Sequence, residues 1–296
     1  MIFRKIFPLV LLFFSFLIGN AQEFLQNQDS LKSLSSIWEL DSDQKQGTFR
    51  LISYKPIYVT AGRWSSNPNG LPQSENPDYS AMVPKDFNNF EAKFQLSFKT
   101  KVAQSLFFGH GDLWAGYTQI AHWQIYNTEL SRTFRELNYE PELMLNFPMD
   151  VKLLGLTLKM AGVTFNHQSN GRDLPRSRSW NRIIFSLGLE AKNLQVYIRP
   201  WIRLADEEDE NPLITNYIGN GDVTVIYKYK KHAFYAVATN SFSFKDNHGS
   251  LQFNYLYPLG DKLKLHAQFF TGYGETLIDY NHFQNTIGIG VSFVNW

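Results

Sequence analysis

The sequence has no cysteine, almost no net charge and, after its first eighteen residues, no apolar run long enough to cross a membrane as a helix. The missing cysteines exclude disulfides and thiolate-bound metals. The charge balance, 28 Lys and Arg against 27 Asp and Glu, lacks the basic excess of a nucleic-acid surface, so no nucleic-acid partner is expected.

The one long apolar run stands at the start. Arg4 and Lys5 precede a stretch from Ile6 to Ile18, and small residues follow up to Ala21. That is the layout of a secretory signal over residues 1–21. The stretch falls short of the ~20 apolar residues that an anchoring helix needs. Residues 22–47 are polar and are expected to form an N-terminal periplasmic segment without an assignable role, ahead of a membrane domain over 48–296.

What the chain does contain is alternation. From Phe90 to Val102 one parity carries Phe90, Phe94, Leu96 and Phe98, and the other carries Glu91, Lys93, Lys99 and Lys101. A strict period of two means a strand with one apolar and one polar face. The pattern returns over 194–204, 223–230, 250–257 and 262–271, with aromatic residues near the segment ends. Segments of about ten residues fit a membrane barrel, whose strands need ~9–11 residues, better than a soluble sandwich. The expected fold is all-β, a 12-stranded antiparallel transmembrane β-barrel. Long connections are expected near 65–86, 126–136, 170–179, 205–217, 243–249 and 273–283. Short ones are expected near 103–110, 148–152, 191–193, 230–232 and 258–261, and the last strand runs to Trp296.

Chemistry concentrates in FNHQSNGRDLPRSRSWNR, residues 165–182. His167 and Ser169 are two apart, so on a strand they share a face, on the parity of Val163 and Phe165. Asn181 has the parity of Ile183, Phe185 and Leu187. A hairpin centred near Leu174 sets His167 opposite Asn181, and opposed residues share a face. The three polar groups then stand together on the lipid-facing wall, where they are costly unless used. Below them the apolar parity switches to Leu154, Leu156, Leu158 and Met160. The switch requires either a bulge near 159–162 or an apolar patch inside the barrel. A serine hydroxyl becomes a nucleophile when a neighbouring His takes its proton and a third group fixes the imidazole, which points to acyl transfer on a lipid ester.

The segments Asn166 to Arg172 and Pro175 to Arg182 resemble the signature of bacterial outer membrane phospholipase A. Further likeness lies in Trp38 to Leu40, Tyr54 to Tyr58, Tyr117 to Trp123, Phe134 to Leu143 and Gly272 to Asn281. The resemblance implies a calcium-dependent serine hydrolase on a twelve-stranded barrel, active as a homodimer. It would release fatty acids from either ester of membrane phospholipids and from lysophospholipids, with its site facing the outer leaflet. Ser169 would be the nucleophile, His167 the base and acid, Asn181 its orienting partner and Gly171 N–H an oxyanion donor. Ca2+ would be held by the Arg172 carbonyl and Ser177 of one subunit with Ser131 of the other, all oxygen donors as a hard cation requires. A calcium-polarised water would share the oxyanion with Gly171. The chain departs from the family pattern twice. Leu174 stands where an Asp is expected, with Asp173 one earlier, and the acidic residue before Asn-Pro becomes Glu210, with Asp209 beside it, in a loop one residue longer.

Other features have competing readings. The acidic loop 206–210 is either a solvated loop or part of a calcium site. Gln119, on the parity of Tyr117, is either at a dimer interface, as its likeness to a family position implies, or an amide inside the barrel. Glu91, Lys93, Lys99, Lys228, Lys230, Lys262 and Lys264 are expected to face the lumen as a structural polar network, since ~12 strands leave an interior that side chains can fill. Arg172, Arg176, Arg178 and Arg182 would contact lipid phosphates or be surface charge. The rival functions are an idle barrel acting as a narrow pore or structural protein, and a hydrolase of some other acyl ester.

Overall fold

The computed structural model describes residues 31–260 and 262–293. The proposed signal (1–21), residues 22–30 and Trp296 lie outside the described residues. Twelve long strands follow one another in the chain. The first six are β1 (Tyr58–Ser65), β2 (Phe90–Ala103), β3 (Asp112–Trp123), β4 (Glu136–Leu153), β5 (Leu156–Ser169) and β6 (Ser179–Ala191). The second six are β7 (Leu194–Leu204), β8 (Gly221–Tyr229), β9 (His232–Asn240), β10 (Gly249–Pro258), β11 (Lys264–Gly272) and β12 (Gln284–Ser292). Each pairs antiparallel with its sequence neighbour, and β12 returns to β1, so the expected twelve-stranded barrel closes and has no free edge. A two-residue stretch, Ile52–Ser53, adds to β2 below β1.

The alternation sorts side chains as expected. Leu96, Phe98, Phe165, Phe185, Ile202 and Ile287 point outward and are exposed, as a lipid-facing wall requires. Glu91, Lys93, Lys99 and Lys101 are almost fully buried in the lumen. Lys230 and Lys262 instead stand exposed at short turns.

The turn expected at 148–152 lies at Leu154 and Gly155, both with positive φ. Two left-handed residues match the twist of a tight hairpin. Strand β4 therefore runs on past Pro148, and the pairing slips between Pro148 and Val151, a bulge where a proline lacking its N–H is tolerated. On β5 the register shifts between Leu158 and Met160, leaving Lys159 as the extra residue. Both expected explanations of the parity switch hold together. The bulge sits at Lys159, and Met160 turns inward to an apolar lumen patch with Trp114 and Met144.

That patch receives the N-terminal segment. A short helix, α1 (Leu34–Trp38), is capped by Ser33 and ends in left-handed Glu39. Leu34, Trp38 and Leu40 are buried against Trp114, Met144 and Met160. The Lys99 ammonium lies 3.0 Å from the Trp38 ring centroid and donates to Ile37 O at 3.0 Å. Glu190 accepts from the Leu34 N–H at 2.7 Å. Glu39 pairs with Lys101 at 2.7 Å. From Leu31 onward, therefore, the segment that the sequence left without a role fills the short-turn end of the lumen.

A cavity of about 770 Å3, lined by groups including Glu140, Arg182, Arg199 and Asp222, adjoins the helix. The long-loop end is closed by charge. Glu91 accepts from Arg63 at 2.6 Å and from Arg135 at 2.8 Å, and Arg135 reaches Asp279 at 3.3 Å. Glu275 is forked by Arg63 and pairs with Lys93 at 3.0 Å. Shared partners of this kind compensate the desolvation of buried charges. Burial alone would raise the Glu275 carboxyl, but Arg63 and then Lys93 hold it well below the usual carboxylate range.

Candidate active site

Hairpin β5–β6 carries the site at the long-loop end. Its register pairs His167 with Asn181 and Ser169 with Ser179, as a centre at Leu174 requires. His167 Nδ1 lies 2.8 Å from Asn181 Oδ1. Because an amide oxygen only accepts, that contact fixes the proton on Nδ1 and leaves Nε2 free to accept. Ser169 follows on the same face, half-buried like its two neighbours. No hydrogen bond joins Ser169 to His167; contacts between a nucleophile and its base often tighten only in the substrate complex.

The lumen side of the hairpin explains its rigidity. Arg182 donates to Asn166 Oδ1 at 2.7 and 3.0 Å and lies 4.0 Å from the Trp180 ring centroid. Trp180 Nε1 donates to Gln168 Oε1 at 2.8 Å. These contacts leave no freedom for a register slip, which would carry His167 and Ser169 to the other face.

The loop after Ser169 is knotted by Asn170, a residue whose part the sequence reading missed. Its side-chain oxygen accepts from Arg178 N at 2.9 Å and Arg172 N at 3.3 Å, and its amide donates to Arg176 O at 2.8 Å. Only the Asn-Gly pair, a turn signal, could have drawn attention to it. Gly171 has φ +61°, and a Cβ there would meet the Tyr139 ring at 3.0 Å. Its N–H has no acceptor among the described residues and is free to donate.

The arginines are not equivalent. Arg178 is fully buried and donates to Ser177 O, Gln73 O and Tyr79 O, tying this loop to residues 66–89. Burial pulls its guanidinium below the ordinary value. Arg182 is buried in the lumen, and Arg172 reaches inward to Glu136 at 3.0 Å. Arg178 and Arg182 are thus withdrawn from both the lipid and the surface expected for them.

The expected calcium ligands converge in part. Ser177 Oγ donates to Glu210 Oε1 at 2.7 Å, while the buried Glu210 Oε2 has no hydrogen-bond partner. Asp209 is already engaged by Arg203 and by the Asn211 N–H at 3.0 Å. Arg172 lies on the same loop as Ser177. Ser131 sits on the neighbouring loop, where its carbonyl accepts from Trp123 Nε1 at 2.8 Å. An orphaned carboxylate oxygen beside a hydroxyl fits a hard cation. Among the described residues no three His, Asp or Glu side chains gather to hold a metal.

Gln119 faces outward and is half-buried, so the reading as an amide inside the barrel falls. It accepts from the Tyr117 hydroxyl at 3.1 Å. Tyr139 pairs with Gln119 on one side and with Ser169 on the other, which sets Gln119 and Ser169 in one row across the outer wall.

Residues 34–293 match the family model for phospholipase A1. A putative phospholipase A1 of Neisseria meningitidis serogroup B is 39% identical over 277 residues, covering 90% of this chain and 72% of the relative. The solved outer membrane phospholipase A of Escherichia coli superposes with a TM-score of 0.74 at 34% identity, over 83% of this chain and 99% of its own. The Salmonella typhi outer membrane phospholipase, solved as a dimer with bound calcium, gives 0.74 at 33% identity, over 85% of this chain and 95% of its own. By sequence and by barrel alike, the chain belongs to the phospholipase A1 family.

Proposed function

We propose that this outer membrane phospholipase is a calcium-dependent, dimer-activated serine hydrolase. In this reading it releases fatty acids from sn-1 and sn-2 esters of phospholipids and from lysophospholipids in the outer leaflet, after export on residues 1–21. The observation that carries the reading is the 2.8 Å contact between His167 Nδ1 and Asn181 Oδ1, beside Ser169 on the lipid face.

Ser169 Oγ attacks the ester carbonyl carbon while His167 Nε2 takes its proton. Asn181 Oδ1 accepts from Nδ1–H and holds the resulting imidazolium. Gly171 N–H donates to the oxyanion as charge develops, the kind of fixed donor whose loss costs about 10²–10³ in rate. His167 then gives its proton to the departing glycerol oxygen, leaving an acyl-serine. A water attacks that ester, giving its proton to His167; the fatty acid leaves and Ser169 is restored.

Arg172 O, Ser177 and Glu210 would hold calcium with Ser131 of the partner subunit. Calcium bound there would add positive charge near the developing oxyanion. The placement of Ser131 on a different loop from Arg172 and Ser177, and the outward row from Gln119 to Ser169, support a site finished by a second copy. The plug at one end of the lumen and the ion-paired mouth at the other weigh against the pore reading.

Fatty-acid release from phosphatidylcholine by the full chain in micelles, with calcium or EDTA and beside Ser169→Ala, tests this. Calcium-dependent release falling by roughly 10⁴ or more in the variant is expected. Release that survives the substitution would overturn the assignment of the nucleophile.

A further inference from the structure

Asn181 has a second partner. Its Nδ2 points at Asp206, 3.3 Å from Oδ1 and 3.5 Å from Oδ2. Asn181 pairs with Leu204, the last residue of β7, so Asp206 stands two residues beyond, at the start of the acidic loop. We propose that Asp206 is a positioning residue, acting on His167 through Asn181. The proposal rests on the reading of Ser169, His167 and Asn181 as catalytic.

The need for it is physical. An asparagine amide is nearly symmetric in shape and can turn over, exchanging oxygen for NH2. With NH2 toward the imidazole, Nδ1 would have to accept, its proton would move to Nε2, and Ser169 would lose its base. A carboxylate on the far side breaks the symmetry. It accepts from Nδ2 and would repel Oδ1, so the orientation that serves His167 is the favoured one. The carboxylate also places a negative charge behind a neutral amide. An imidazolium forms as Ser169 gives up its proton, and an Asn alone supplies only a dipole to it. Two residues thus share what a single Asp does in other hydrolases of this type: Asn181 makes the contact and Asp206 brings the charge.

The test compares the full-length wild type with Asp206→Ala, Asp206→Asn, Asn181→Ala and the Asp206→Ala/Asn181→Ala double variant in micelles, with Ser169→Ala as control. Asp206 is exposed in an outer loop, so its variants should fold. Asp206→Ala is expected to lower kcat about five- to tenfold, a charge-assisted hydrogen bond discounted for exposure, with KM and the calcium midpoint unchanged. Asp206→Asn, which keeps an acceptor without the charge, should recover part of the rate. In the Asn181→Ala background the Asp206 effect should vanish, because no amide is left to orient. An unchanged kcat, an equal loss in both backgrounds, or a shifted calcium midpoint would overturn the proposal while leaving the triad in place. Activity surviving in Ser169→Ala would remove the triad itself, and the proposal with it.

Discussion

On the lumen side of hairpin β5–β6, Arg182, Asn166, Gln168 and Trp180 form a continuous network of hydrogen bonds and a cation–π contact. On the lipid side of the same residues, His167 and Asn181 share one hydrogen bond, and Ser169 makes none with His167. The two faces differ by a single step of the pleat. Buried polar groups need hydrogen-bond partners, and for these four side chains the protein supplies them. The outer groups keep unused capacity, and in the proposed function their partner is a lipid ester. Precision is thus built on one face and spent on the other.

The most severe way to break this arrangement is from the inside. Arg182→Ala would strand Asn166 Oδ1 and remove a cation facing Glu140, 3.5 Å away. Loss of one partner from a buried charged pair costs about 3–5 kcal/mol. Denaturant unfolding in lipid vesicles should show that loss, and kcat should fall although Arg182 touches no reacting atom. A stable variant of unchanged kcat would mean that the inner network does not set the outer geometry.

A smaller effect should come from acid at the barrel mouth. Glu275 has a depressed carboxyl, so its ion pairs stabilise the fold fully above the ordinary carboxylate range. That stability is lost as pH falls from there through the lower folded value. Glu275→Gln should cost about 2 kcal/mol at neutral pH, as expected for charge-assisted bonds, and the gap from wild type should close in strong acid. Unfolding midpoints measured from neutral to acid pH check this. A gap independent of pH would mean that shape rather than charge holds the mouth.

The same contrast explains what could be read in the chain. Strands, lipid face and the pairing of His167 with Asn181 were legible because each depends on a period of two about a known centre. The plug was not seen, although Leu31, Leu34 and Trp38 recur at helical spacing inside a polar stretch. Spacings of three and four in so short a segment say nothing about where it docks. Arg178 looked solvent-facing because the carbonyls that bury it belong to residues 73 and 79, a hundred positions away. Asp206 is one of five consecutive acids, and only the fold shows which of them turns toward Asn181.

Calcium tests the seam between the faces, where loops leave the rigid barrel. Glu210 Oε1 is occupied by Ser177 and Oε2 is without a partner, whereas Asp209 is held by Arg203. Removing Glu210 should therefore weaken calcium activation, while removing Asp209 should disturb the loop without the same selectivity. Glu210→Ala is expected to raise the calcium concentration for half-activation about tenfold, equivalent to about 1.4 kcal/mol. The rate at saturating calcium should be nearly kept, because the hairpin and Asp206, not Glu210, hold His167, Asn181 and Ser169 in place. Titration of fatty-acid release against calcium separates the two quantities. If instead the maximal rate collapses at every calcium concentration, Glu210 itself shapes the site directly, and the division between a rigid inner face and an adaptable outer one does not extend beyond the strands.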